Sequence, residues 1–160
     1  MSTFQLRALR EDDRSWVNRF IEDHWLSKSI IARGRVLYPD TLPGFVAEQS
    51  ERPVGLVTYR IEGGECEVVT INSVIEGMGI GSALMSAVKE SAVLAGCERL
   101  WLITTNDNVR ALRFYQRRGF ALVAVYRDAL EESRRLKPEI PLVGMHGIPL
   151  RDEIELELRL

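Results

Sequence analysis

Apolar and polar positions change period several times along this chain, and each change marks an element. Residues 4–9 alternate and predict a first strand. Glu11, Asp12 and Asp13 then open a helix, since Trp16, Val17, Phe20, Ile21 and Trp25 recur at helical spacing behind an acidic first turn. Residues 26–43 keep no period; Ile30, Ile31, Gly34 and two prolines predict a short helix or strand and a loop. Residues 45–48 and 54–61 read as a hairpin with Arg52 and Pro53 in its turn, and Gly63 and Gly64 lead into a strand over 65–74. Ile80, Ala83, Leu84, Ala87, Val88, Ser91, Ala92 and Ala95 share one helix face, and Gly96 supplies a left-handed stop. Residues 100–103 are continuously apolar, as in a strand buried on both faces. Asn106, Asp107 or Asn108 caps a helix that ends at Gly119. Strands follow over 120–126 and 153–160, separated by an insertion at 127–152 with a charged helix over 129–136.

The chain has 160 residues and reads as one domain, 1–160. Its net charge of -2 supplies no basic field for nucleic acid or anionic lipid, so neither is an expected partner. Arg117-Arg118 and Arg134-Arg135 are local pairs, read as solvated helix faces, with a ribose-phosphate contact as the alternative for the first. No run of about 18 apolar residues and no basic-then-apolar leader is present, so a cytoplasmic location is expected. Cys66 and Cys97 read as packing cysteines of a reducing compartment. His24 and His146 have no metal-ligand spacing, and no metal is expected.

The chemistry concentrates where the strand over 65–74 runs through Gly77, Gly79 and Gly81 into the apolar-faced helix. Glycines permit positive φ and close approach of a ligand to bare N–H groups, and the helix start behind them is a ready anion site. A dinucleotide fingerprint would need glycine at Ser82 or Leu84, and a Walker loop would need a lysine well before Lys89. Neither fits. The segment Glu76-Gly77-Met78-Gly79-Ile80-Gly81 instead resembles the pyrophosphate loop of the GNAT (Gcn5-related N-acetyltransferase) superfamily, Gln/Arg-x-x-Gly-x-Gly/Ala. Residues 104–120, with Asn106, Ala111, Phe114-Tyr115 and Gly119-Phe120, resemble its second signature, and the likeness covers most of 4–126. Glu76 departs from the usual Gln or Arg and is expected to point outward.

That resemblance implies an α/β fold of the GNAT acyl-coenzyme A N-acyltransferase type, about seven mostly antiparallel strands with a central splay and about four helices. It implies transfer of acetyl from acetyl-coenzyme A to an amine by direct attack in a ternary complex, and allows a homodimer. Gly77, Met78, Gly79, Ile80, Gly81 and Ser82 would hold the pyrophosphate, Val69 and Ile71 the pantetheine arm, and Asn106 and Asn108 the arm or the helix cap. In similar enzymes a glutamate on the fourth strand takes the proton of the acceptor ammonium. Glu65 and Glu67 share a face by strand alternation, and Glu67, nearer the splay, is the choice. Tyr115 occupies the position that protonates the leaving thiolate, although a core aromatic would also fit there. The insertion over 127–152 is expected to wall the acceptor site, since long ordered loops often bind ligands.

The acceptor stays open between a polyamine-like metabolite, an aminoglycoside, an amino acid and a protein terminus. Trp16, Trp25 and Tyr38 would offer an aromatic wall, whereas Glu48, Glu65 and Glu67 would favour a cation. Two other classes remain: a non-catalytic acetyl-coenzyme A sensor or scaffold, and a nucleotide-binding regulator, which the loop spacing disfavours.

Overall fold

Three two-residue turns with left-handed backbone cut the first half of the chain into strands: Arg33-Gly34 (φ 52 and 70), Ser50-Glu51 (51 and 64) and Gly63-Gly64 (59 and 75). Two consecutive positive φ values match the right-handed twist of paired strands, so such turns close tight hairpins. The computed structural model describes residues 3–25 and 27–160. Residue 26, where the unperiodic segment was expected to begin, lies outside that set.

In chain order the elements are β1 (Gln5–Ala8), α1 (Arg14–Trp25), β2 (Ile30–Ala32), β3 (Arg35–Leu37), β4 (Gly44–Gln49), β5 (Arg52–Glu62), β6 (Glu65–Ser73), α2 (Ile80–Leu94), β7 (Arg99–Thr105), α3 (Val109–Arg117), β8 (Ala121–Tyr126), α4 (Ala129–Leu136) and β9 (Glu153–Arg159). Seven strands form one mixed, mostly antiparallel sheet in the order β1-β4-β5-β6-β7-β9-β8, and β2 pairs with β3 apart from it. The chain groups into two compact units. The first is built from the chain up to Ile30, Tyr38–Leu100 and Leu160; the second from Ile31–Leu37 and Trp101–Arg159.

In the first unit, α2 seats on β5 where Gly55 removes a side chain. A Cβ there would meet Ile80 Cγ2 at 2.6 Å and Leu84 Cδ1 at 3.1 Å. Ile80, Leu84, Val88 and Ala92 are at most 1% exposed, which completes the amphipathic face legible in the sequence. On the opposite face of the strands, Trp25 of α1 donates to Asn72 Oδ1 at 2.9 Å. The entry to α1 is fastened by Asp13, whose carboxylate accepts Arg7 Nη1 and Nη2 (2.8 and 2.9 Å), the Arg10 N–H (2.7 Å) and Trp16 Nε1 (2.7 Å). Hydrogen bonding to the Arg7 guanidinium, against the cost of burial, holds Asp13 well below the usual carboxylate range.

In the second unit, Leu102, Phe120, Leu130 and Leu156 are buried. The β2–β3 tip is pinned here. Its Arg33 N–H reaches both oxygens of the buried Glu153 (3.1 and 3.2 Å), and the Arg33 guanidinium lies 3.4 Å over the Tyr126 ring. Burial pushes Glu153 above the ordinary carboxylate range, with Arg33 opposing.

Three expectations are corrected. The β4–β5 turn is Ser50-Glu51, so Arg52 and Pro53 belong to β5. The backbone of non-glycine residues there takes the left-handed form that the sequence reading assigned only to glycine. Residues 27–43 hold two short strands and a 3₁₀ turn (Pro39–Thr41) rather than the one short helix or strand and loop expected. Finally, β7 alternates: Leu100, Leu102 and Thr104 are buried, but Arg99, Trp101, Ile103 and Thr105 are only half-buried. Long apolar side chains at half-covered positions mimic a doubly buried strand.

Gly55→Ala should lower unfolding stability by about 1–3 kcal/mol, because the α2 seat is overpacked; urea denaturation followed by circular dichroism measures it. Asp13→Asn should cost about 2 kcal/mol at pH 7, as for a partly buried ion pair stripped of one partner. Because the folded pKa of Asp13 is depressed, its contribution is present above the unfolded value of about 3.9 and fades as pH falls below it. The wild-type advantage should therefore shrink between denaturation series at pH 7 and pH 3.

Candidate functional site

The glycine segment builds a cradle at the head of α2. Gly77 and Gly79 adopt φ 79 and 77, and a Cβ on either would meet nothing within 4 Å. Backbone conformation therefore demands these glycines, and the space beside them is open. Gly79 is the N-cap and, lacking a side chain, leaves the first turn uncapped; that turn carries no acidic residue. The first intrahelical bond runs from the Ala83 N–H to Gly79 O at 3.0 Å, so the N–H groups of Ile80 and Gly81 precede it. Bonds from Val74 N–H to Val54 O and from Ser73 Oγ to Ile75 O, both 2.8 Å, fix the start of the loop. Met78 and Ser82 are half-buried, Ile80 is core, and Glu76 is exposed.

Upstream, β6 carries the candidate base. Glu67 is 3% exposed and lies 3.9 Å from Arg60, whereas the Glu65 side chain is 44% exposed and pairs with Arg99 at 3.5 Å. Of the two candidates only Glu67 is withdrawn from bulk water. The β5–β6 register slips between Thr58 and Tyr59: Thr58 faces Thr70 and Tyr59 faces Val68, so Val69 has no β5 counterpart. A bulge of this kind re-aims the strand. Ile71 stays in register opposite Val57.

In the second unit, Asn108 caps α3, accepting the Ala111 N–H at 3.2 Å. Asn106 makes three hydrogen bonds: its Nδ2 donates to Pro149 O (2.9 Å), and its Oδ1 accepts the Arg151 and Asp152 N–H groups (3.0 and 2.9 Å). Tyr115 is buried against Phe114 and Phe120, with ring centroids 5.4 and 5.8 Å away. Tyr115 as a whole is 8% exposed. Burial pushes the phenol above its usual range, so it holds its proton. Arg118 lies 3.5 Å over the Phe114 ring.

The sequence reading missed Asp107 as more than a cap alternative. It is 3% exposed and accepts Thr105 Oγ1 (2.5 Å) and the Met145 N–H (2.9 Å). It also missed Arg134, which donates to the carbonyls of Ile140, Pro141 and Leu150. No local pattern announces the contact of Asp107 with Met145, 38 positions away. Among the described residues no group of three or more His, Cys, Asp or Glu is placed to hold a metal ion, and no helix is long and apolar enough to cross a membrane.

Comparison with known proteins agrees with this geometry. The family model described as Acetyltransferase (GNAT) family matches residues 5–120. The uncharacterized protein YdhI of Bacillus subtilis (strain 168) is 46% identical over 136 residues, 84% of this chain and 85% of its own. An IAA acetyltransferase from Bacillus cereus ATCC 14579 superposes with a TM-score of 0.71 at 21% identity, covering 99% of this chain and 100% of that one. A Bacillus subtilis acetyltransferase in complex with CoA gives 0.68 at 20% identity, covering 100% and 99%. At such identities the two structures speak for the fold alone. The family match itself runs from the first residue of β1 to the residue that follows Gly119, and the chain belongs to the acetyltransferase (GNAT) family.

Proposed function

We propose that the protein transfers the acetyl group of acetyl-coenzyme A to an amine by direct attack within a ternary complex, with residues 1–160 acting as one domain. The observation that carries this reading is the cradle: two left-handed glycines with open space beside them, leading into an uncapped 15-residue helix. Residues 77–82 would hold the pyrophosphate through main-chain N–H groups. Val69 and Ile71 would offer strand backbone to the amides of the pantetheine arm, and the register slip leaves Val69 without a partner on β5. When bound, acetyl-coenzyme A supplies an activated thioester, and a main-chain N–H near Ile71 would meet the charge that develops on its oxygen.

Two side chains handle protons. Glu67 would accept one from the acceptor ammonium, whose pKa is near 10.4 for a lysine-type amine, directly or through water. Tyr115 would donate to the departing thiolate, a role suited to a phenol that burial keeps protonated. The Asn106 and Asn108 side chains are spent on the insertion and the α3 cap, so this reading gives them the shaping of that connection rather than a hold on the cofactor. The structural relatives support the cofactor assignment, one of them being a complex with CoA. A cytosolic setting belongs to the same reading, with Cys66 and Cys97 both buried as free thiols.

Gly79→Ala should weaken acetyl-coenzyme A binding about tenfold, because an alanine resists the left-handed N-cap by about 1–2 kcal/mol; titration calorimetry reads it. Tyr115→Phe should cut kcat about 10- to 100-fold and Glu67→Gln should lower kcat/KM comparably, while cofactor affinity stays within about twofold. Thiol release across an amine panel measures the rates. A protein that binds the cofactor tightly yet acetylates nothing on a broad panel would be a sensor.

A further inference from the structure

Among the described residues, α3 is the one α-helix whose charges share a single sign. In α1, Arg14 and Arg19 are mixed with Glu22 and Asp23; α2 sets Lys89 beside Glu90; α4 sets Glu131 and Glu132 before Arg134 and Arg135. Solvated helix faces ordinarily interleave signs in this way. By contrast α3 carries Arg110, Arg113 and Arg117 and no acid. Between Asp107 and Asp128 the chain holds five arginines and neither aspartate nor glutamate, although the whole protein has a net charge of -2. The three helical arginines are all exposed. Their spacing, three and then four residues, puts them on one stripe of the helix.

Like charges three and four residues apart destabilise a helix, so α3 on its own bears a cost. The helix dipole offsets only part of it. Arg117 lies in the last turn, where a cation is favoured, but Arg110 lies in the first, where the positive end opposes it. Arg113 and Arg117 form no ion pair among the described residues. Next along, Arg118 lies 3.5 Å over the Phe114 ring and donates to Phe114 O at 2.9 Å. Burial and the charge of Arg117 lower the Arg118 pKa, as expected of a cation crowded by another. An arriving carboxylate relieves that crowding and can take a guanidinium fork with both oxygens.

The length of the stripe selects among anions. At 1.5 Å of rise per residue it runs about 10 Å, with Arg113 and Arg117 about 6 Å apart along the axis. Alternate side chains of an extended peptide stand about 6.6 Å apart, so a few acidic residues cover it. A nucleic acid needs more, since tight backbone binding takes about 6–10 phosphate contacts. Cations do not continue along the sheet: β8, which follows α3, is paired with a strand that carries Glu155 and Glu157. A symmetric second copy would set arginine against arginine.

We propose that the arginine stripe of α3 docks a short acidic segment of a partner protein. Such docking needs no acetyl transfer, so the two readings stand or fall separately. The test titrates fluorescein-labelled decaglutamate with the full chain in about 0.1 M salt and follows fluorescence anisotropy. The wild type should bind with a Kd of about 100 µM or tighter. Arg113→Glu/Arg117→Glu should weaken binding about tenfold or more, with circular dichroism confirming the fold. If that variant unfolds, Arg113→Gln/Arg117→Gln takes its place with the same expected loss. Arg19→Glu, a reversal of one charge on α1, should leave the affinity unchanged, as should saturating acetyl-coenzyme A. No binding by the wild type overturns the proposal, and so does binding that the double variant keeps. An equal loss in Arg19→Glu overturns it as well, since bulk charge would then be the cause. So does decauridylate binding more tightly than decaglutamate, which would make the ligand a nucleic acid. Displacement of the peptide by acetyl-coenzyme A also overturns it, because the stripe would then belong to the cofactor's phosphates.

Discussion

The seat of α2 on β5 determines where the first turn of that helix points, and the proposed anion site inherits its geometry from that contact. Gly55 matters because it is absent as a side chain: Ile80 and Leu84 occupy the space its Cβ would need. Ile80 is at once the first residue of α2 and a fully buried core residue. The helix dipole and its leading N–H groups are therefore anchored by hydrophobic packing one residue from the cradle glycine Gly79. A loop with the same glycines but no such seat would present its donors in many directions, and preorganised donors are what an anion rewards.

Buried carboxylates fix the irregular parts of both units in a common way. Asp13, Asp107 and Glu153 are each at most 4% exposed, and each accepts a main-chain N–H from a segment outside regular structure: Arg10, Met145 and Arg33 respectively. A charged acceptor gives a stronger bond than a carbonyl, which suits turns whose backbone has no ladder to join. The three differ in what balances the charge. Asp13 has the Arg7 fork and is depressed; Glu153 has a more distant Arg33 guanidinium at 3.6 Å and is raised by burial. Of Asp13 and Glu153, only Asp13 therefore loses a stabilising charge on acidification.

Features set by neighbours in sequence were legible in it. The α2 face, the left-handed stop at Gly96 and the glycine turn at 63–64 follow from period and backbone freedom, and φ is 78 at Gly96. The need for glycine at Gly77 and Gly79, ahead of an amphipathic helix, was equally visible, because both take positive φ. What failed was whatever depends on partners far along the chain. Arg33 and Glu153 are separated by 120 positions and Asn106 and Asp152 by 46, and no local pattern encodes either pair. The Asn106 clamp on residues 149–152 was invisible for the same reason, since an asparagine after a strand looks alike whether or not its amide holds a distant loop. The β4–β5 turn was misplaced because Pro53 is a stronger local signal than Ser50 and Glu51.

Burial keeps the proton on two groups, and the consequences are opposite. Burial, with smaller contributions from neighbouring Cys97 and Glu67, pushes the Cys66 thiol up to about 12. At neutral pH only about one molecule in 10⁵ then carries the thiolate, the form that attacks a thioester. An acetyl group routed through Cys66 would start from that rare species and from a side chain with no exposed surface. Tyr115 is likewise held protonated, and for the donor role proposed for it that is an advantage. With Cys66 idle, transfer through an acetyl-cysteine at that position has no competent nucleophile. The proposed direct attack by the amine would instead draw on the buried Glu67 and on Tyr115, whose phenol burial keeps protonated.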